Sequence, residues 1–292
     1  MWDAIVIGGG PAGLSCALLL GRSCRRVLLF DTGTPRNARV GSVSGFLTRD
    51  GTPPAELRAL GRAEVGRYGV EISAEAVTDA RRVGEAWEVR TNAHAYPARA
   101  LVLATGIRDN LPSIPGVKPF WGRSVVTCPY CDGWERRGQP LAVYGADEGA
   151  VEAAVGLLTW SRDVILVTDG RPAPADPRLA RHGIDVLASP VLRLEGDEDL
   201  VALVFTDGTR RPCTALFVHA GQRPADPLVA ALGCELDACG CIVVDHEGRT
   251  RVPWLWACGD AATGTQLAIV AAAEGAKAAT SLHRALRALD FP

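Results

Sequence analysis

The chain has 292 residues, of which 48% are hydrophobic and 22% charged, with a formal net charge of −2. Such a composition describes a globular chain with ample core, one large or two ordinary domains long. It excludes an obvious docking surface for nucleic acid or anionic membrane, since no basic block stands out, and no apolar run approaches a bilayer span.

Residues 4–7 (Ala-Ile-Val-Ile) are a short apolar run that predicts a buried parallel strand. With no basic segment before it, the run reads as a strand and not as an export signal. It meets Gly8, Gly9, Gly10, Pro11, Ala12 and Gly13, a G-x-G-x-x-G pattern. Leu14, Ala17, Leu18 and Leu20 then give a helical face, and residues 27–30 form a second apolar run ending in Asp31. Strand, glycine loop, helix, strand and acid together are the dinucleotide fingerprint in its proper setting. Gly8 permits the tight turn, Gly10 lets the backbone approach a pyrophosphate, and Gly13 lets helix and strand pack closely. The helix N-terminus faces the phosphates, and Asp31 can accept a ribose hydroxyl.

Arg36 and Asn37 follow in a polar loop. Pro53-Pro54 opens a helix expected to run through Tyr68 with Leu57, Leu60 and Val65 inward. Residues 87–91 and the neighbouring short runs alternate like an antiparallel meander. Residues 101–106 form another buried strand, ending in the small residues Ala104, Thr105 and Gly106. The proline-dotted segment 111–119 reads as a linker. A second strand–glycine–helix unit follows: strand 141–144, loop 145–150, helix 151–160 and strand 164–167. Two such starts make a weak internal duplication. Asp207-Gly208 marks a hairpin between residues 200–205 and 209–213. Residues 215–220 are a further strand, and 221–227 a second linker. Residues 241–244 and 254–258 read as short strands, Gly259-Asp260 ends the latter, and an Ala-rich helix over 266–289 closes the chain.

Ahead of the second unit stands Cys128-Pro129-Tyr130-Cys131-Asp132. Two cysteines three apart can close into a disulfide and reopen, and such pairs tend to hold one thiol as a nucleophilic thiolate near neutral pH. Asp132 can deliver or remove the proton that thiol–disulfide exchange requires. The nine cysteines are an odd number, and the expected compartment is the reducing cytoplasm, where a disulfide is usually catalytic. Half of a zinc site and two unrelated buried thiols are the bland alternatives. A four-ligand site needs a second pair, and only Cys239-Gly240-Cys241 and single cysteines remain, so no metal is expected.

In this order the pieces resemble the low-molecular-weight thioredoxin reductases, a family of flavoproteins. The resemblance spans nearly the whole chain. It rests on residues 8–13, Ala104-Thr105-Gly106, Cys128 to Asp132 followed by Gly133, the unit at Gly145, and Ala257-Cys258-Gly259-Asp260 before the last helix. It implies an α/β fold of two Rossmann-like, doubly wound domains with antiparallel meanders. Residues 1–111 and 222–292 would form the FAD domain. Residues 112–221 would be an inserted pyridine-nucleotide-like domain carrying the C-x-x-C. FAD is then expected at Gly8, Gly10, Pro11, Ala12, Gly13, Asp31, Arg36, Asn37, Ala104, Thr105, Gly106, Gly259, Asp260, Thr265, Gln266 and Leu267. Cys131 would exchange electrons with the flavin C4a position, Cys128 with the external substrate, and Asp132 would be the acid–base group for Cys131. The implied partner is a thioredoxin-like protein or a small dithiol or disulfide, and the implied assembly a homodimer.

The second glycine loop departs from the family pattern. A nucleotide-binding loop there would read G-x-G-x-x-A; Gly145 and Ala150 fit, but Asp147 replaces the middle glycine and sets an anion against an anion. Glu148 adds a second negative charge. Where NADPH-using relatives carry histidine and arginines for the 2′-phosphate, this chain has Thr168-Asp169-Gly170, with Arg171 and Arg178 nearby. Asp169 would repel that phosphate, yet it can accept ribose hydroxyls as in NAD sites. NAD(P)H is therefore a doubtful cofactor. The alternatives are a dithiol oxidase using oxygen or a reductase fed by another donor such as ferredoxin, an NADH enzyme, an NADPH thioredoxin reductase with an unusual loop, and a flavin-bound redox sensor without turnover. Residues 36–51 lack the usual glycine-glutamine segment and look like a divergent branch.

Among the remaining residues, Cys234, Cys239 and Cys241 read as structural thiols, Cys16 and Cys24 as packing residues of the first unit, and Cys258 as close packing beside the flavin. His219 ends an apolar strand, either structural or a base at the flavin edge. Trp134 either packs or faces the substrate.

Overall fold

Runs such as Val27–Phe30, apolar at every position, are stable as strands only where both sheet faces are covered. The computed structural model, which describes residues 1–172 and 174–292, meets that condition twice. In the first sheet Glu71–Ser73, Val27–Phe30, Trp2–Ile7 and Ala95–Leu103 lie side by side in parallel. Leu255–Ala257 adds in parallel to Ala95–Leu103, while Ala86–Thr91 and Val77–Val83 continue from it as an antiparallel meander. Register follows from the two buried faces: Ile5 sits between Leu28 and Leu101. Alternate residues feed two cores. Val6, Leu29 and Val102 pack with Leu14, Ala17 and Leu20 of the helix Pro11–Arg22 and with Leu282 and Leu286 of the last helix. Ile5, Leu28 and Leu101 pack on the other face with Trp87, Leu228 and Ile242.

The second sheet is wholly parallel, in the order Asp185–Leu187, Val164–Val167, Leu141–Tyr144, Ala215–Val218, Val125–Val126. The helix Glu148–Leu157 buries Ala150, Val151, Ala154 and Leu157 on one face. An antiparallel sheet of Val191–Gly196, Leu200–Phe205 and Arg210–Pro212 contributes to the core on the other. Each fold starts strand–glycine loop–helix–strand, so the duplication visible in the sequence is structural. The chain divides into one compact unit of Met1–Ala38, Gly45–Arg108 and Gln222–Pro292 and another of Arg39–Ser44 and Asp109–Gly221.

Three local expectations change. The helix after Pro53 spans Pro54–Gly66, and Leu60 is 38% exposed, because Pro54, Arg58, Gly61 and Val65 occupy its inward line at helical spacing. Residues 241–244 form no strand. The Asp237 carboxylate accepts the N–H groups of Cys239 and Cys241 and turns the chain there, leaving one isolated bridge, Leu236 to Ile242. Cys24 is exposed, at φ 57 just past the first helix, so it does not pack. No described helix is long and apolar enough to cross a membrane.

Candidate active site

The first glycine loop closes by contact. A Cβ on Gly13 would lie 1.8 Å from the Gly8 carbonyl oxygen, and one on Gly8 would lie 2.2 Å from that of Ala104, so neither position admits a side chain. Gly10 differs: nothing lies within 4 Å of where its Cβ would stand. Gly10 is also the N-cap of Pro11–Arg22 and offers no side-chain cap, with Pro at the start. The first turn of that helix therefore keeps unsatisfied N–H groups facing open space, the arrangement that takes a phosphate.

Other predicted residues converge on the same unit from far along the chain. Gly259 approaches Ala12, where an added Cβ would be 2.6 Å from the alanine Cβ. Arg36 Nη1 donates to Asp260 Oδ2 at 3.3 Å and to Gln266 Oε1 at 3.0 Å. Gln266 is held in turn by Gln222, whose Nε2 donates to the same oxygen at 3.1 Å. Thr105 Oγ1 is buried without a hydrogen-bond partner, which leaves a polar atom suited to a ligand. Leu267 is the N-cap residue of the helix Ala268–Asp290, Thr265 is exposed just before it, and Asn37 is half-buried beside Arg36. An uncapped helix start, an open glycine and an orphaned hydroxyl fit a dinucleotide such as FAD.

Asp31 has more partners than expected. Its carboxylate accepts from the Gly33 N–H, from Arg58 Nη2 at both oxygens (3.1 and 2.9 Å) and from Arg62 Nη1 at 2.8 Å. Burial alone would raise its pKa, but the Gly33 N–H, the adjoining Arg58 and the Arg62 hydrogen bond bring it below the usual carboxylate value. Arg58 and Arg62 lie one helical turn apart. That spacing was legible, but their acidic partner, distant along the chain, was not.

In the second unit Cys128 and Cys131 form a disulfide, with Cα atoms 5.3 Å apart. The strand Val125–Val126 leads into it. Cys128 is the extended N-cap of the short helix Pro129–Asp132, and the Cys131 N–H donates to Cys128 Sγ at 3.2 Å. After reduction that donor faces the Cys128 sulfur, which favours its thiolate. Asp132 has its pKa raised to about 6 by burial and by the charge of Glu135, against an opposing effect of Arg136. Arg136 is drawn the other way, lying 3.6 Å from Asp199 and 3.5 Å from Ser124 Oγ. Tyr130 and Trp134 are 79% and 65% exposed, so aromatic surface flanks the disulfide. The Tyr130 ring meets Trp160 edge-on, and Arg137 stacks over Trp134.

The second glycine loop is filled. Asp147 is the N-cap of Glu148–Leu157; its Oδ1 accepts the Ala150 N–H at 2.8 Å and lies 3.4 Å from His219 Nε2. The helix starts at Glu148, earlier than periodicity alone placed it, because this cap fixes its first turn. Asp169 is committed as well. It accepts from the Tyr144 hydroxyl and from the Val191 N–H, both at 2.8 Å, and burial with Asp169 beside it pushes the Tyr144 pKa up to about 12. Arg171 Nε donates to the Thr168 carbonyl, while Arg178 pairs with Asp176 and Glu152.

Residues 2–275 match the model of the pyridine nucleotide-disulphide oxidoreductases. The chain belongs to that family. It is a flavin-dependent oxidoreductase of the thioredoxin reductase type. A "Probable thioredoxin reductase" of Arthroderma benhamiae is 40% identical over 177 residues, 58% of this chain and 44% of the relative. The chain thus matches less than half the length of that curated relative. The crystal structure of HlmI, at 40% identity, superposes with a TM-score of 0.94 over 99% of this chain and 93% of the other. That of a "Putative Thioredoxin Reductase TrxB" from Bacillus anthracis gives 0.94 at 33% identity over the full length of both. Among the described residues of this oxidoreductase no group of His, Cys, Asp or Glu can hold a metal ion. Cys16, Cys258 and Cys241 are buried with thiol pKa values raised by burial, while Cys239 is exposed and Cys234 half-buried.

Proposed function

We propose that this chain is an FAD-dependent thiol–disulfide oxidoreductase in which Cys128 and Cys131 exchange electrons with an external dithiol or disulfide, and that NADPH is not its donor. One observation carries the reading: the first helix start is uncapped, while the second is closed by the Asp147 carboxylate on the Ala150 N–H. An anion already holds the place where the pyrophosphate of a pyridine nucleotide would seat. Asp169 already accepts from Tyr144 and Val191, one bond on each oxygen, so a ribose hydroxyl would have to share a carboxylate tied to its own fold, which weighs against NADH.

FAD, held by the Gly8–Gly13 loop, Thr105, Asp260 and Gln266, supplies a two-electron partner for the dithiol. The chain's own residues do the rest. A substrate thiolate attacks Cys128 Sγ, the Cys128–Cys131 bond breaks, and the electron pair leaves on Cys131 Sγ, which Asp132 protonates. The second substrate thiol, once deprotonated, attacks the substrate sulfur of the mixed disulfide and releases Cys128 as a thiolate beside the Cys131 N–H. The substrate loses two electrons to the pair and two protons to solvent; Cys131 keeps the proton given by Asp132, which is reprotonated from solvent. With dioxygen as terminal acceptor two electrons and two protons leave as hydrogen peroxide; an external donor such as reduced ferredoxin, giving one electron in each of two transfers, would instead run the pair in reverse and reduce a disulfide substrate. The "thioredoxin reductase" names of relatives favour a thioredoxin-like protein as the alternative partner. We further propose a homodimer in the cytoplasm. The test is oxygen uptake with dithiothreitol in the absence of NADPH. One peroxide per disulfide supports oxidase action, and catalytic reduction of a disulfide by NADPH overturns the reading.

A further inference from the structure

Asp132 and Arg136 stand four residues apart, where the short helix Pro129–Asp132 runs on into tight turns: the Gly133 N–H meets the Pro129 carbonyl and the Arg136 N–H that of Gly133. At that spacing on a helical path an acid and a base ordinarily pair. Here they do not. Among the described residues the Asp132 carboxylate accepts no hydrogen bond and makes no ion pair. Arg136 is engaged elsewhere. Its Nη2 donates to the Arg123 carbonyl at 3.3 Å and lies 3.5 Å from Ser124 Oγ and 3.6 Å from Asp199 Oδ1. Ser124, fully buried just before the strand Val125–Val126, fixes that acceptor. Its hydroxyl donates to Asp199 Oδ1 at 2.8 Å and accepts the Leu200 N–H at 3.2 Å, while the Leu216 N–H donates to its carbonyl. Asp199 stands in the turn between Val191–Gly196 and Leu200–Phe205, closed by Gly196, where a Cβ would lie 2.0 Å from the Asp199 carbonyl oxygen. The Ser124 hydrogen bond, then Arg136 and Arg123, hold the Asp199 carboxyl below its usual value against the opposing effect of burial, so it is an anion at neutral pH.

We propose that Asp199, seated by Ser124, holds Arg136 off Asp132 and so leaves Asp132 able to carry the proton that Cys131 takes when the disulfide opens. Asp199 is thereby a positioning residue that acts through Arg136, and the inference rests on Asp132 being the acid of the proposed reaction. In that step the electron pair of the substrate thiolate forms the new S–S bond and the pair of the Cys128–Cys131 bond goes to Cys131 Sγ. The proton comes from Asp132, which takes another from solvent. A guanidinium against the Asp132 carboxylate would favour its ionised form and leave no proton to give at neutral pH. Of the other charges here, Glu135 faces Asp132 and favours its protonated form. Arg123 Nη2 lies 3.9 Å from Asp199 and 3.7 Å from Glu198, and Asp163 acts with Arg136 on the buried Cys213 thiol.

Carbon-13 NMR titration of the oxidised holoprotein, labelled at the aspartate carboxyls, reads the Asp132 midpoint directly, its signal being the one lost in Asp132→Asn. Opening of the disulfide by dithiothreitol, followed by stopped-flow flavin bleaching and expressed per thiolate, reads the same midpoint as the pH at which the rate falls. In Asp199→Asn, which keeps an acceptor for Ser124, both midpoints should drop by about one pH unit, the low end of what an opposite charge within about 6 Å does to a carboxyl. Asp199→Glu should retain most of the wild-type value. In an Arg136→Gln background Asp199→Asn should move neither midpoint. Ser124→Ala leaves the Asp199 charge but unseats it, and should lower both midpoints by less; it decides the matter if Asp199→Asn does not fold. Midpoints unmoved in Asp199→Asn or, failing that variant, in Ser124→Ala overturn the proposal. So does an equal drop in the Arg136→Gln background, since Asp199 would then act without Arg136. A rate profile that keeps its pH dependence in Asp132→Asn overturns the proposal together with the acid assignment, a result distinguishable from the first two.

Discussion

Replacing Asp147 by glycine restores the G-x-G-x-x-A pattern of the second loop and asks directly what that carboxylate does. The change removes the acceptor of the Ala150 N–H and the neighbour of His219. Glycine is a tolerable N-cap, so the fold should lose only a few tenths of a kcal/mol. The gain is larger. Two unit charges about 4 Å apart repel by about 1 kcal/mol in water and about 4 kcal/mol at an effective dielectric of 20. The Asp147 side chain is 68% exposed, so the lower figure applies. Two pyrophosphate charges then cost about 2 kcal/mol, which converts to about thirtyfold in affinity. Titration calorimetry with NADP+ should show Asp147→Gly binding about thirtyfold tighter than the wild type, with Asp147→Asn gaining most of it because the charge is what repels. His219→Ala should gain nothing, since it leaves the carboxylate in place. A gain below about threefold in Asp147→Gly, with the melting temperature intact, would refute the reasoning.

Cys128→Ser should abolish dithiol turnover while the protein stays yellow. In Cys131→Ser the remaining Cys128 thiol should alkylate with a midpoint below the free-thiol value of about 8.5, read by iodoacetamide labelling against pH. Asp132, with its pKa raised to about 6, keeps its proton at pH 5 and loses it above pH 6. The step in which it protonates Cys131 should thus slow as pH rises through 6, and Asp132→Asn should erase that limb of the rate profile. Because the native carboxyl binds its proton more tightly than the unfolded chain does, stability should fall as pH rises from about 4 to 6. Denaturant unfolding at pH 4 and pH 7 should show the fall in the wild type and not in Asp132→Asn. Gly275 lies where a Cβ would meet the Ala12 carbonyl oxygen at 2.0 Å, so the last helix crosses the first at backbone contact. Gly275→Ala should destabilise the protein by about 1–3 kcal/mol, measured by urea unfolding, and loosen FAD with it.

Much of the fold was legible because its signals are local. Strands Leu141–Tyr144, Val164–Val167 and Leu200–Phe205 stand where apolar runs placed them, since a run apolar on both faces has few other places to go. The loop at residues 8–13 and the C-x-x-C were readable for the same reason: spacing alone encodes a turn or a disulfide. What escaped was pairing at a distance. Nothing near Asp31 in the chain announces Arg58 and Arg62, and nothing near Asp169 announces Tyr144 and Val191. Gly275 inside an Ala-rich helix gives no sign of the helix it crosses. Asp147 was recognisable as a misfit for pyrophosphate, but its role as the cap of the next helix needed the geometry of the loop.

In the proposed reaction a dithiol, and not a nicotinamide, exchanges electrons with the flavin. Anaerobic stopped-flow spectroscopy of the purified holoprotein, mixed in turn with dithiothreitol, NADPH and NADH, tests it most directly. The flavin band should bleach with the dithiol, return on admitting oxygen, and show no catalytically competent bleaching by either nucleotide. Rapid bleaching by NADPH or NADH in the wild type, with Asp147 in place, would contradict it.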